Sequence, residues 1–245
     1  MIIGFVGSGS MAAAIARGWV GTGQTMLFSD AGSGRAGALA EELGGETATN
    51  AEIAGRADLL VVAVKPAKLA DVAPELGAAK EVVSILAAVP LAQLQEALPG
   101  ARVLRVMPNV GVEVRRGVLC VCGEASAATR ELLGRLGHVV ELADGDFDEA
   151  TAVMSCAPAY LALAVEALAD AGAAAGLDPE LARELVVETT AGTAELLRIH
   201  HPADVRRAVA SPGGSTEAGL EALDREGARA AFEAAVEASL ERMRR

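Results

Sequence analysis

Aromatic residues and positive charge are both scarce in this chain of 245 residues. It contains one Trp, one Tyr and four Phe, and its formal net charge at pH 7 is −12. An acidic chain does not suit a nucleic-acid surface or an anionic membrane. We therefore expect no nucleic acid and no membrane among its partners, which should be small molecules or copies of the chain itself.

Cysteine is rare as well. Cys120, Cys122 and Cys156 make an odd count with no evident disulfide framework, which fits a reducing cytoplasm. Cys120 and Cys122 share one face of a predicted strand and could bind a metal there. No second ligand pair accompanies them, so we expect no metal site.

No segment is typical of a signal peptide or a membrane span. The N-terminus lacks a basic region, and its short apolar run leads directly into glycines, so we interpret that run as a strand. No uninterrupted apolar stretch is long enough to span a bilayer. The sequence therefore predicts a cytoplasmic protein.

The first twelve residues carry a dinucleotide-binding motif in the context that such motifs require. The apolar run from Ile2 to Val6 is followed by Gly7, Gly9 and Ala12 in the spacing Gly-x-Gly-x-x-Ala, and then by a helical pattern. Gly7 would form the turn, Gly9 would let a pyrophosphate approach the backbone, and Ala12 would keep strand and helix close. The motif predicts a nucleotide site.

Strand patterns alternate with helical patterns over residues 1–145, which predicts an α/β fold with an N-terminal Rossmann-type doubly wound sheet. Strands are expected at residues 2–6, 25–29, 46–48, 59–64, 82–86, 103–106, 118–122 and 139–142. Helices are expected after the glycine motif, at 35–43, after a cap at Asn50, and at 127–136.

Residues 146–245 are predicted to form a C-terminal all-helical dimerisation domain. Helices are expected at 147–175, interrupted only by Pro158, then at 179–199, from Pro202, and from 216 to 245. Faces rich in Ala and Gly, such as that of Ala162, Ala169 and Gly176, are too apolar to stay in water. We expect them to pack against another subunit.

Three loops follow predicted strands at the edge where doubly wound sheets bind ligands. Residues 63–66 include Lys65, which could neutralise phosphate charge or could be a solvent-exposed loop residue that binds no ligand. Residues 84–88 have small side chains that could lie beside the flat ring of a ligand. Residues 107–109 end in Asn109, whose amide could hydrogen-bond a ligand or the backbone. Each loop alone also has a structural interpretation. Together they predict the walls of a nicotinamide site.

The segment Ser211-Pro212-Gly213-Gly214-Ser215-Thr216 precedes the last helical pattern and is a second candidate site. One proline and two glycines favour a tight turn, and the unpaired N–H groups at a helix start can bind a carboxylate. The Thr216 hydroxyl would lie beside that anion as a neutral donor or acceptor. The alternative is an ordinary helix N-cap, because Ser and Thr are common caps.

The second predicted domain has no lysine, since Lys65, Lys68 and Lys80 all precede it. Hydroxyacid dehydrogenases of a similar plan usually need a Lys or His near the hydride centre. Reduction of a carbon–nitrogen double bond is less demanding, because an iminium is already electrophilic. It needs mainly positioning and an anchor for the substrate carboxylate.

With these motifs in this order, the chain resembles the pyrroline-5-carboxylate reductases essentially end to end. The resemblance implies a Rossmann domain for NAD(P)H, a helical domain that builds a dimer and often a decamer, and reduction of L-Δ1-pyrroline-5-carboxylate to L-proline. The matching segments are residues 4–11, Asn50-Ala51-Glu52, residues 63–66, Met107-Pro108-Asn109, Pro158-Ala159-Tyr160, His201-Pro202 and residues 211–216.

The resemblance also implies which residues form the site, and it implies that a second subunit completes the pocket. Thr216 would be catalytic, with its hydroxyl near the imine nitrogen. The substrate carboxylate would be held in the turn by Ser211, Gly213, Gly214, Ser215 and Thr216. NADPH or NADH would be lined by Val6, Gly7, Ser8, Gly9, Ser10, Met11, Asn50, Ala63, Val64, Lys65, Pro66, Ile85, Leu86 and Ala87.

Residues near the end of the second strand bear on the choice of cofactor. Asp30 stands where an acid binds the ribose 2′-OH of NAD and repels a 2′-phosphate. Ser29, Ser33 and Arg35 could instead receive that phosphate. We expect NADH to be usable and an Asp30→Ser variant to shift catalytic efficiency toward NADPH.

The chain departs from the family before Pro-Ala-Tyr, where the family usually has Ser-Gly-Ser-Gly and this chain has Met154-Ser155-Cys156-Ala157. The added bulk puts the substrate, more than the reaction, in question. Alternatives are therefore a reductase of another cyclic imine, a deazaflavin:NADP oxidoreductase, or a non-catalytic nucleotide-binding protein.

Overall fold

The computed structural model describes residues 1–244, which contain one eight-stranded sheet. Its strands are β1 (Ile2–Val6), β2 (Thr25–Ser29), β3 (Glu46–Thr47), β4 (Leu59–Val62), β5 (Glu81–Ser84), β6 (Arg102–Pro108), β7 (Gly117–Gly123) and β8 (Gly137–Glu141). Across the sheet they run β3-β2-β1-β4-β5-β6-β7-β8. Every neighbouring pair is parallel except β6 and β7. Because β1 lies between β2 and β4, the chain winds outward in both directions, and the predicted doubly wound sheet is confirmed.

The chain forms two compact units, and the helices divide between them. The first unit contains residues 1–156 together with the chain end from Met243, and the second contains Ala157–Arg242. The first unit contains α1 (Ser10–Gly18), α2 (Arg35–Leu43), α3 (Asn50–Arg56), α4 (Leu69–Val72), α5 (Leu91–Ala97), α6 (Ala127–Gly134) and α7 (Phe147–Met154). The second is built from α8 (Ala157–Ala174), α9 (Pro179–Leu197), α10 (Pro202–Val209), α11 (Ser215–Arg225) and α12 (Ala228–Met243). The boundary at residues 145/146 between a nucleotide-binding domain and a helical dimerisation domain stays a prediction.

Two hydrophobic clusters cover the two faces of the sheet. Successive residues of a strand point to opposite faces, so Phe5 packs in one cluster and Val6 in the other. The scarce aromatic residues are concentrated in the first cluster, where the Phe5 ring lies 5.1 Å from that of Phe28 and 6.1 Å from that of Trp19. The Trp19 indole N–H donates to the Leu132 carbonyl at 2.9 Å, so its polar atom is satisfied. This core holds the strands whose ends form the candidate cofactor site.

Two helical boundaries differ from the sequence expectation. The single helix predicted from residue 216 to 245 is wrong, because α11 and α12 are separated at Gly227, whose φ of +76° is left-handed. The helix predicted over 147–175 breaks at Ser155 and Cys156, before Pro158 rather than at it. Pro158 lies in the first turn of α8, where its missing N–H removes no intrahelical bond. Helix α5 was not predicted.

Apolar side chains of the second unit are extensively exposed. No residue of α8 is buried, and Leu161, Leu163 and Leu168 are each more than half exposed. Internally, the Tyr160 hydroxyl on α8 lies 2.5 Å from that of Ser239 on α12. A surface this apolar is typical of one that packs against another chain.

One helical stretch, Asp144–Ala174, is long and apolar enough to cross a membrane by length and composition, with a mean hydropathy of 1.6. A single stretch of this kind is weak evidence for a span, because core helices of soluble proteins meet the same criteria. The stretch is not an uninterrupted apolar run, because charged residues such as Asp148, Glu149 and Glu166 lie within it.

A buried ion pair ties β6 to the segment before α7. Arg105 is 4% exposed, and its Nη1 donates to Asp144 Oδ1 at 2.8 Å and to the Asp144 carbonyl at 3.2 Å. The guanidinium also lies 4.1 Å from the centre of the Phe147 ring. The Asp144 carboxylate in turn accepts the N–H of Leu91 at the start of α5. Within residues 1–244, Arg105 Nε has no partner, so Asp144 carries most of the compensation for this buried charge.

We expect Asp144→Ala to destabilise the protein by about 2 kcal/mol, because it leaves the Arg105 guanidinium buried without its counter-charge. Chemical denaturation followed by tryptophan fluorescence measures the change, since the only Trp lies in this unit. Asp146→Ala is the matched control, because Asp146 is exposed and its loss should change stability by less than about 0.5 kcal/mol. Equal effects of the two variants would contradict the assignment.

Candidate functional site

The turn between β1 and α1 has the geometry of a phosphate-binding loop. Gly7 has a φ of +97°, and a Cβ there would lie 2.7 Å from the carbonyl oxygen of Ala63, so no other residue fits without strain. A Cβ at Gly9 would meet nothing within 4 Å. Gly9 is the N-cap of α1 without a side-chain capping bond, so no side chain at the cap occupies the first N–H groups of α1, beginning with those of Ser10 and Met11. Such a helix start can bind a pyrophosphate.

Serine and asparagine side chains connect the ends of β1, β2 and α3 beside this turn. Ser8, which directly follows Gly7, donates its hydroxyl proton to the Ser29 carbonyl at 2.9 Å. The Ser29 hydroxyl donates to Asn50 Oδ1 at 2.6 Å. With its oxygen engaged, Asn50 keeps amide N–H groups for a ligand.

A cleft of about 620 Å³ opens beside Ser29 and Asn50, at the carboxyl end of β2. Its wall includes Thr49 and Glu52, which form a capping box at the start of α3. The expectation that Asn50 caps this helix is wrong, because Thr49 is the N-cap and Asn50 is the first helical residue. This capping box was not predicted from the sequence, although Thr-x-x-Glu before an apolar segment signals such a cap.

Asp30 uses its carboxylate within its own loop. Oδ1 accepts the N–H groups of Gly32 and Ser33, and Oδ2 accepts the Ser33 hydroxyl and the Ala36 N–H, at distances between 2.8 and 3.1 Å. These bonds, that of Ala36 foremost, hold the pKa of Asp30 below its ordinary value of 3.8 against the opposing effect of desolvation. Four donors match the acceptor capacity of a carboxylate. Asp30 therefore orders the loop that precedes Arg35, whose side chain has no ion-pair partner in the described chain.

The loops after β4 and β5 place backbone and small side chains at the same edge. Lys65 is exposed and its ammonium has no partner among residues 1–244; Pro66 after it begins a short 3₁₀ turn. Leu86 is only 1% exposed and packs in the core, so only its backbone can face a ligand. The exposed Ala87 is followed by Ala88, which has a left-handed φ of +57°. Ala63 and Val64 are half-buried, and so is Ile85.

Asn109, at the end of β6, has its side chain engaged on both sides. Its Oδ1 accepts the N–H groups of Gly111 and Val118 at 3.2 and 3.1 Å. Its Nδ2 donates to the carbonyl of Met154, the last residue of α7, at 3.1 Å. The structure therefore uses this amide to connect three segments of the first unit.

In the second unit, residues 211–216 form a tight turn that leads into α11, and we call this segment the anion turn. The Gly214 N–H donates to the Ser211 carbonyl at 2.9 Å. Gly214 is the N-cap and no side chain caps this helix. The hydroxyls of Ser215 and Thr216 are exposed and have no partner within the described residues. They are therefore not ordinary caps, and they remain available to a ligand.

Glu217 was missed by sequence reasoning, and its carboxylate reaches back into the anion turn. Oε2 accepts the N–H of Gly213 at 2.6 Å. A carboxylate thus already interacts with one of the donors that an anionic ligand would use. No local motif signalled this contact.

Other candidate chemistry is absent from the part of the chain that the structure describes. Residues 1–244 contain no group of three or more His, Cys, Asp or Glu that could hold a metal ion. The cysteines are free thiols, and burial raises the pKa of Cys120. His201 is the N-cap of α10, with Nδ1 accepting the Ala203 N–H.

Two family models match the chain. Residues 144–245 match the model described as pyrroline-5-carboxylate reductase dimerisation. Residues 2–90 match the model described as NADP oxidoreductase, coenzyme F420-dependent. The second match is confined to the nucleotide-binding part of the sheet.

Individual proteins resemble the chain over nearly its whole length. The pyrroline-5-carboxylate reductase of Thermus thermophilus is 37% identical over 254 residues, covering 99% of this chain and 97% of the relative. The crystal structure of 1-pyrroline-5-carboxylate reductase from Streptococcus pyogenes matches with a TM-score of 0.90 at 30% identity, covering 99% and 98% of the two chains. The Plasmodium falciparum pyrroline carboxylate reductase, solved with NADP bound, matches with a TM-score of 0.85 at 27% identity, covering 99% and 97%.

We expect Asp30→Asn to accelerate amide hydrogen exchange at residues 32–36 at pH 7, because an amide offers one accepting oxygen in place of two. In the native chain the depressed pKa means that this stabilisation is complete above about pH 4 and is lost as the pH falls further, through the folded pKa. Asp71→Asn is the control, since Asp71 is exposed and pairs only with Lys68. Unchanged exchange in Asp30→Asn would show that the carboxylate does not order the loop.

Proposed function

Because this chain belongs to the pyrroline-5-carboxylate reductase family, we propose that the β1–α1 turn holds the pyrophosphate of NAD(P)H and that the anion turn holds the substrate carboxylate. The chain is an NAD(P)H-dependent oxidoreductase acting on a C=N bond, and it reduces L-Δ1-pyrroline-5-carboxylate to L-proline in proline biosynthesis. The observation that carries the site assignment is the pair of free hydroxyls, Ser215 and Thr216, at an uncapped helix start.

The proposed cofactor site runs along the carboxyl edge of the sheet. Gly7 and Gly9 admit the pyrophosphate to the backbone, and Asn50 offers its free amide N–H groups to the adenosine ribose in the neighbouring cleft. Arg35, unpaired at the first position of α2, would receive a 2′-phosphate, whereas the charge of Asp30 opposes one. The remaining cofactor contacts that we propose are Val6, Ser8, Ser10, Met11, Ser29, Ala63, Val64, Lys65, Pro66, Ile85, the Leu86 backbone and Ala87.

The proposed reaction requires no strong acid or base from the side chains. When bound, NAD(P)H would supply a hydride to the carbon of the C=N bond, whose nitrogen is already protonated, so that the product is a secondary amine and the nicotinamide is the group oxidised. The N–H groups of Ser215 and Thr216, at the uncapped start of α11, would orient the substrate carboxylate, and the turn formed by Ser211, Gly213 and Gly214 would position them. The Thr216 hydroxyl would hydrogen-bond the imine nitrogen and hold it in place.

We propose that the working form is at least a homodimer. The dimerisation model matched by residues 144–245 supports an assembly formed through the helical domain, and the exposed leucines of α8 give that assembly an apolar surface. A second subunit would complete each pocket, so a monomer should be inactive. Further assembly into a decamer and a cytoplasmic location belong to the same proposal.

The test of the reaction is a spectrophotometric assay of NADH and NADPH oxidation with pyrroline-5-carboxylate. Thr216→Val should lower kcat/KM by roughly 100-fold, through loss of a hydrogen bond made to the reacting nitrogen, and leave the Kd of NAD(P)H unchanged. Thr190→Val, at an exposed position on α9, is the control and should retain activity. Wild-type protein that oxidises neither nucleotide with this substrate would refute the function, and an active Thr216→Val would refute only the residue assignment.

We expect Glu217→Gln to lower the KM for pyrroline-5-carboxylate by about threefold, because it removes a negative charge that repels the incoming carboxylate at a partly exposed site. The N–H of Gly213 keeps an acceptor of the same shape in this variant, so the turn should stay folded. Glu221→Gln, one helical turn further along α11 and exposed, is the matched control. A KM that is unchanged, or equally changed in the control, would contradict the proposed place of the substrate carboxylate.

A further inference from the structure

Helix α7 is held at one end by Arg105 of β6 and at the other by Asn109, the residue that directly follows this strand. At its start, Arg105 binds Asp144 and lies over the Phe147 ring. At its end, Asn109 donates to the Met154 carbonyl. The helix is therefore fixed to the strand whose carboxyl end enters the proposed nicotinamide site.

The Met154 carbonyl is one of the last four of α7, which have no intrahelical donor. Asn109 Nδ2 supplies that donor at 3.1 Å. A second link, from the Ser155 hydroxyl to the Pro108 carbonyl, is longer at 3.4 Å and correspondingly weaker. The position of residues 154–156 relative to β6 thus depends mainly on one amide proton.

We infer that Asn109 is a positioning residue of the reductase, whose Nδ2–H···O=C bond to Met154 sets residues 154–156 as a wall beside the hydride-transfer site. This inference rests on the proposed function, which puts the nicotinamide at the ends of β4, β5 and β6. It assigns Asn109 a role in the alignment of the substrate with the hydride, in place of direct recognition of the nucleotide.

The variant Asn109→Asp isolates this role. A carboxylate keeps the oxygen that accepts the N–H groups of Gly111 and Val118. It has no proton for the Met154 carbonyl, and its second oxygen faces that carbonyl unfavourably. Gln95→Glu is the matched control, because it makes the same amide-to-carboxylate change at an exposed position on α5 of the same unit.

The test measures steady-state kinetics, the isotope effect with cofactor deuterated at the transferred position, and amide hydrogen exchange of the ligand-free protein. For Asn109→Asp we expect kcat/KM for pyrroline-5-carboxylate to fall roughly tenfold or more, as expected for a misplaced reacting group. The isotope effect should rise, and the Kd of NAD(P)H should stay within about twofold. Exchange should accelerate at residues 150–156 but not at 110–118, and Gln95→Glu should resemble the wild type in every measurement.

Two results would overturn the inference. One is wild-type kinetics together with wild-type exchange at residues 150–156. The other is a lower kcat with unchanged KM and unchanged isotope effect, because a simple loss of folded enzyme produces that pattern. If the wild type itself fails to reduce pyrroline-5-carboxylate, the proposed function falls, whereas the exchange measurement still decides whether Asn109 holds residues 154–156.

Discussion

The parallel pairing of β1 with both β2 and β4 is the constraint on which the candidate cofactor site depends. It brings the ends of all three strands to one edge, where the Ala63 N–H donates to the Val6 carbonyl at 2.8 Å and the Gly7 N–H to the Ser29 carbonyl at 3.2 Å. These bonds extend the ladder past the strand ends and press Gly7 against Ala63. Two residues further on, the N-cap of α1 is Gly9, which has no side chain to cap the helix and has open space around its Cα.

Polar side chains around this edge act mainly on the protein itself. Asp30 accepts four bonds from its own loop, Ser29 binds Asn50, and Asn109 joins three segments. Loops that carry ligand contacts need such internal bonds, because a loosely held loop loses ordering entropy each time it binds. The same residue types that identify a nucleotide site in a sequence can therefore serve it indirectly.

The second unit contains a candidate site that differs in kind from the candidate cofactor site of the first unit. Its anion turn has backbone donors and two free hydroxyls, and the Glu217 carboxylate accepts a hydrogen bond from one of those backbone donors. This is a poor setting for acid–base catalysis and a suitable one for holding an anion in a fixed orientation. Reduction of an iminium needs little more, which is why a helical domain without lysine is compatible with the activity of this family.

The sequence by itself determined the strands, the order of βα units and the location of both glycine-containing turns. These features depend on local periodicity and on backbone conformations that few residues other than glycine adopt. Its errors were local too: the break at Gly227 and the cap at Thr49 each depend on one residue in a helical pattern. The sequence also did not show that the Leu86 side chain packs in the core, because its neighbours in the sequence do not indicate which side of the turn faces the core.

Only the tertiary structure decided what the polar groups bind. The bonds of Asn109 to Met154, of Arg105 to Asp144 and of Asp144 to Leu91 join residues 39 or more positions apart, and no periodicity records such a pairing. Hydrogen-bond partners are set by which segments the packed core brings within about 3 Å. The positions of the turns could thus be predicted from the sequence, whereas the hydrogen-bond partner of each donor and acceptor was decided by the tertiary structure.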